Sequence, residues 1–157
     1  MEVTERIKQA LQRFPSPKAV QVIFTAHSLP QRILAAGDPY PDELRATAEA
    51  VAQRLRLRDW RFAYQSAGAT ADPWLGPDAG DVITELAAAG RKAFLVVPIG
   101  FVCDHVEILY DIDVEYRELA GQLGVALERT DSLNDDAYLA AAVADVARTA
   151  ARTRGWT

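Results

Sequence analysis

Cysteine is almost absent from this chain: Cys103 is the single thiol in 157 residues. One thiol forms no internal disulfide, so a reducing, cytoplasmic setting is expected. It also cannot supply the several thiolates of a structural zinc site or an iron–sulfur cluster. Positive charge is short as well, with 17 Lys and Arg against 22 Asp and Glu and a formal charge of -5. A nucleic-acid partner is therefore not expected, because phosphate neutralisation needs clustered cations. No apolar run approaches the roughly 18 residues of a membrane span. No basic segment followed by an apolar run opens the chain, so no targeting leader is expected. The glycines of "SAGATADPWLG" (66–76) match neither the GxGxxG nor the GxxxxGK[ST] spacing, which argues against a nucleotide phosphate cradle. His27 and Ser28 lack the GxSxG context of a serine hydrolase.

What the sequence does have is core-forming material. Half of its residues are hydrophobic, enough for one well-buried domain spanning residues 1–157 and too few residues for two. Apolar runs of strand length recur at 19–26, 61–66, 92–99 and 124–130. Helical patterns lie at 3–13, 41–57, 78–89, 106–123 and 135–153. Strands alternating with helices predict an α/β fold with a four-stranded parallel sheet between helical layers. Pro41 and Asp42 suit a helix start. Gly90 and Gly124 suit left-handed caps at helix ends. The Ala-rich segment after Asp135 reads as a helix with a packing surface.

In such a sheet, ligands bind beyond the carboxyl ends of the strands. That rule puts His27, the loop from Gln65 to Trp74, and the loop from Ile99 to Glu107 on one edge. Asp104, Glu107, Asp111, Glu115 and Glu118 follow at spacings of 3, 4, 4 and 3, which on a regular helix makes one acidic face. Crowded carboxylates act as proton acceptors or collect a divalent cation. His105 neighbours Glu107, but adjacent helical residues point in different directions, so a shared task is not required. With Tyr40, Trp74 and Phe101 nearby, the edge suits a flat, partly apolar ligand, a divalent metal and a base.

The motifs "FTAHSLP", "GDPYPDEL", "YQSAGATADPWLGPD", "GRKAFLVVPIGFVCDHVEILYDIDVEYRELA" and "SLN" resemble, in order and spacing, the second half of ferrochelatases over nearly the whole chain. The resemblance implies a flavodoxin-like chelatase half-domain of three αβα layers and an enzyme inserting ferrous iron into protoporphyrin IX or coproporphyrin III. It implies that His27 and Glu107 are catalytic and that Asp111 and Glu115 continue a line of metal or proton ligands from them. Tyr40, Gln65, Trp74 and Phe101 are implied porphyrin contacts. Iron is then a substrate, and no tightly bound cofactor is expected. The sequence departs from the family at Ala67, where a basic residue is common, at Cys103, where Ser or Thr is common, and at Asp111, often Glu. Because the family carries two similar halves, a missing N-terminal half or a homodimer partner is also implied. The competing readings are a non-catalytic porphyrin-, heme- or metal-binding domain, and a short homodimeric chelatase for cobalt or nickel.

Overall fold

In the computed structural model, which describes residues 2–156, the most apolar segment forms the middle of the sheet. Strand β1 (Gln21–His27) is buried along its length except at His27, as expected for a strand covered on both faces. It pairs in parallel with β2 (Trp60–Gln65) on one side and β3 (Ala93–Val97) on the other. β4 (Ala126–Arg129) adds in parallel to β3, giving the order β2-β1-β3-β4. All four predicted strands are present, with ends displaced by a few residues.

Helices α1 (Glu2–Leu11) and α3 (Tyr40–Leu55) cover one face. Their Ile7, Ala10, Ala48 and Val51 meet Val22, Phe24 and Leu95 in a common apolar cluster. On the other face, Ile83 of α4 (Ala79–Ala88) joins Ile108, Ile112 and Tyr116 over Ile23, Phe94 and Val96. Successive residues of β1 thus feed opposite clusters, the period-two consequence of strand geometry. A single four-residue helix, α2 (Arg32–Ala35), interrupts the β1–α3 connection and was not foreseen.

The capping chemistry follows the sequence. Asp78 accepts bonds from the amides of Gly80 (2.7 Å) and Asp81 (3.2 Å) at the start of α4. Gly90 (φ +98°) and Gly124 (φ +65°) take the left-handed conformation at helix ends.

Two expectations are corrected here. The helix predicted over 106–123 is three pieces: α5 (Val106–Leu109), a π-helical turn (Asp111–Tyr116) and α6 (Arg117–Leu123). The amide of Glu115 bonds the carbonyl of Tyr110, five residues back, at 3.0 Å. Such insertions often occur at functional sites. Second, the Ala-rich helix α7 (Ala137–Thr153) forms, but no residue in it is fully buried among the described residues, and only Leu139, Ala144 and Ala151 are part-buried, so most of the packing surface read from its sequence is exposed.

Candidate active site

The three carboxyl-edge loops converge because parallel pairing aligns the strand ends. His27 closes β1 opposite Gln65, the last residue of β2. The Ser28 amide continues that ladder to the Gln65 carbonyl at 2.7 Å, while the Ser28 hydroxyl donates to the Leu75 carbonyl at 2.7 Å. From the third strand end, the loop through Phe101 leads to α5, whose first turn carries Glu107.

Glu107 lies between two imidazoles. Its Oε1 is 3.1 Å from Nε2 of His27 and its Oε2 is 3.2 Å from Nδ1 of His105. The Phe101 ring packs beside both, with centroids 6.4 Å from His27 and 5.1 Å from His105. His27 Nδ1 closely approaches the Ser28 carbonyl, which can only accept, so Nδ1 carries a hydrogen. The other nitrogen faces a carboxylate oxygen. A proton on either atom makes this contact a hydrogen bond, so the geometry lets one pass between Nε2 and Oε1.

Backbone anchors fix both partners. The Tyr40 hydroxyl donates to the His27 carbonyl at 2.9 Å. Burial raises the Tyr40 phenol above its ordinary value, which keeps it a donor. Gln65 is fully buried and its Nε2 donates to the Glu107 carbonyl at 3.1 Å. Its place is therefore beneath the site, positioning Glu107, rather than on the exposed surface where a ligand would lie. Ser66 adopts φ +60°, a left-handed turn at the exit of β2, and its hydroxyl donates to Asp111. Trp74 spends its indole within its own loop: Nε1 donates to Thr70 at 3.0 Å and the ring lies against Gly68. Its backbone pairs with Pro30 and so borders the His27 loop.

The acidic face is not a continuous line of five. Asp104 precedes the helix and turns toward β4, accepting from Ser132 at 2.7 Å and Asn134 at 3.1 Å and lying 3.4 Å from Arg129. Glu115, within the π-helical turn, and Glu118, beyond it, are exposed. Among the described residues, no three His, Cys, Asp or Glu side chains converge as a ready cation site, so the four-residue metal set read from the sequence is not preassembled. The physical reason is that the carboxylates already face protein donors: Glu107 two histidines, Asp111 a serine.

His105 is the neighbour of Glu107 that sequence reasoning underweighted. It is the N-cap of α5, with φ -155° and ψ -178°, extended rather than helical. The rule that neighbouring helical residues diverge therefore does not apply to it. A His two residues before a carboxylate at a helix start was the available signal.

The edge also depends on Gly100, whose amide donates to the Thr25 carbonyl at 3.1 Å. A Cβ there would stand 2.5 Å from Ala26 Cβ and 2.9 Å from its Cα. Gly100→Ala is therefore expected to cost about 2 kcal/mol through overpacking. A thermal melt should show the loss, and a changed near-ultraviolet dichroism should show Phe101 displaced from the imidazoles.

A model of the ferrochelatase family matches residues 1–151. The chain belongs to the ferrochelatase family. The ferrochelatase of Herpetosiphon aurantiacus is 58% identical over 136 residues, covering 85% of this chain and 45% of that protein. A "Coproporphyrin III ferrochelatase 2" of Bacillus cereus is 40% identical over 131 residues, 83% of this chain and 41% of its own. This family member thus spans about half the length of the curated relatives it matches. Among solved structures, a putative cobalamin biosynthesis CbiX protein of Marinobacter aquaeolei VT8 superposes with a TM-score of 0.60 at 17% identity, covering 85% of this chain and 98% of that one. At that identity the likeness shows the αβα fold alone.

Proposed function

We propose that this chain carries the proton-handling side of a site that inserts ferrous iron into a porphyrin, protoporphyrin IX or coproporphyrin III. The observation that carries the reading is Glu107 held between His27 and His105 at the carboxyl edge of the sheet. Membership of the family supplies the reaction class.

The reaction asks for what this arrangement can do. A porphyrin gives up two N–H protons as four ring nitrogens bind the metal, and the iron stays ferrous, so protons move and electrons do not. His27 accepts one porphyrin proton at Nε2 and passes it to Oε1 of Glu107, and once that proton has left along the acidic path the pair accepts the second. Imidazole is suited to the task because one ring nitrogen can accept a proton while the other keeps its own. Asp111, fixed by Ser66, and the exposed Glu115 extend the acidic path by which protons leave or a weakly held cation arrives. Iron as a passing substrate needs no closed cage, which suits carboxylates that are not preassembled around one point.

The surroundings suit a flat apolar ring. Phe101 packs beside the imidazoles, and the helix bearing Glu107 and its C-cap also expose Val106, Leu109 and Tyr110. Trp74 and Tyr40 border the same edge, the latter through the His27 backbone. The remaining length of the relatives, or a second copy, would cover the opposite side of the macrocycle. No helix among the described residues is long and apolar enough to cross a membrane.

The test is anaerobic metal insertion into both porphyrins, followed by absorbance. The chain is assayed alone and together with the N-terminal half of the Herpetosiphon relative, with Fe(II), Co(II) and Ni(II) in parallel. Turnover with Fe(II) is the expected result, and the faster porphyrin identifies the substrate. Porphyrin binding without metallation in every arrangement would mean a binding domain instead, and preference for Co(II) or Ni(II) would overturn the iron assignment.

A further inference from the structure

The amino edge of the sheet, about 20 Å from His27 along β1, holds a pocket that the site leaves unused. Its volume is 670 Å³, and Lys18, Arg56, Arg58 and Arg91 line it with Asp59 as the one carboxylate. Asp59 is already paired with Arg91. Lys18, Arg56 and Arg58 are exposed and form no ion pair among the described residues. Three positive charges are therefore in excess around one hollow, on a chain whose formal charge is -5. Like charges gathered in this way repel, and a bound anion removes that cost.

Arg56 stands out within the group. It takes the left-handed conformation (φ +55°, ψ +38°) at the C-cap of α3, a position where glycine is favoured and an arginine costs backbone strain. The negative end of α3 does not require it, because Arg54 already lies in the last turn. Beside the cations, Val20, Leu55 and Leu57 give the pocket an apolar wall. We infer that this pocket binds an organic oxyanion of two or more charges, phosphate or carboxylate, carried on an apolar body. Arg56 and Arg58 present the forked N–H donors that fit such oxygens, Lys18 adds a point charge, and the wall takes the body. The volume lies within the range that small-molecule ligands fill. The inference does not rest on the chemistry proposed above, and binding alone reads it.

Isothermal titration calorimetry on the full chain tests it, at physiological salt so that diffuse surface attraction is screened. Tripolyphosphate and citrate serve as bare anions, and ATP and benzenetricarboxylate carry similar charge on an apolar ring. Saturable binding of a ring-bearing probe, about tenfold tighter than its bare counterpart, is expected, and the better pair tells phosphate from carboxylate. Arg56→Gly should weaken that binding at least about tenfold without lowering the melting temperature, since glycine accepts the left-handed backbone. Arg58→Ala should weaken it similarly. Arg152→Ala removes the same charge from α7 and should leave binding unchanged. Adding the N-terminal half of the Herpetosiphon relative should also leave it unchanged; loss of binding there would mean that the pocket is an interface. That loss, no saturable binding by any probe, bare anions binding as tightly as ring-bearing ones, or binding insensitive to Arg56→Gly would each overturn the inference.

Discussion

His27→Ala is expected to slow ferrous insertion by about a hundred- to ten-thousandfold, the usual contribution of a positioned acid or base. Glu107→Gln should do the same. The glutamine keeps the shape of the side chain but accepts no proton, so its effect separates proton transfer from packing. Neither substitution should unfold the protein. The two side chains are 29% and 41% exposed, and the bonds that hold their positions go to backbone carbonyls, from Tyr40 to residue 27 and from Gln65 to residue 107. Both carbonyls survive the substitutions. His105→Ala should cost less, since it contacts only the second carboxylate oxygen. Single-turnover absorbance in the arrangement that supports turnover, paired with a thermal melt, checks all three. Insertion by His27→Ala at the unmodified rate would remove His27 from the mechanism.

What could be read beforehand, and what could not, divides along a physical line. β1 is legible because a strand buried on both faces needs an unbroken apolar run, and a polar residue ending that run marks the sheet edge. His27 and Glu107 were placed together by that rule. The geometry of 104–118 was not legible, because spacing arguments assume one uninterrupted helix. The chain instead enters α5 from an extended residue at His105 and then loosens into a π-helical turn. The first fact turns His105 toward Glu107; the second changes the phase of the acids beyond Asp111. Arg129 was invisible for another reason: its partners Asp104 and Asp113 become neighbours only once β4 is laid beside β3. In α7 the apolar periodicity was plain, but periodicity does not say which chain supplies the facing surface.

Arg129→Met is expected to cost about 3 kcal/mol, because removing one member of a largely buried ion pair leaves the others uncompensated. The Arg129 side chain is 12% exposed, and its guanidinium donates to both oxygens of Asp113 at 2.9 Å. It also lies 3.4 Å from Asp104. Met keeps the apolar stem and removes the charge, so the loss reports electrostatics rather than volume. For a domain of this size the melting temperature should fall by about 10 °C. The same substitution should reach the site. Asp104 anchors the loop just before His105 to β4 and the 132–134 segment, and loosening it frees His105 to leave Glu107 without touching His27. Acid titration provides the second readout. Burial alone would raise the Asp104 carboxyl, but bonds from Ser132 and Asn134 and the charge of Arg129 more than reverse this, and it titrates below its ordinary value. A depressed carboxylate contributes stability that is complete above the unfolded value of about 3.9 and is lost as pH falls through the folded value. In Arg129→Met that acid-side loss should shrink but persist, since the two hydrogen bonds are the larger lowering causes. An unchanged acid limb together with an unchanged melt would show that Arg129 does not tie the His105 loop to the sheet.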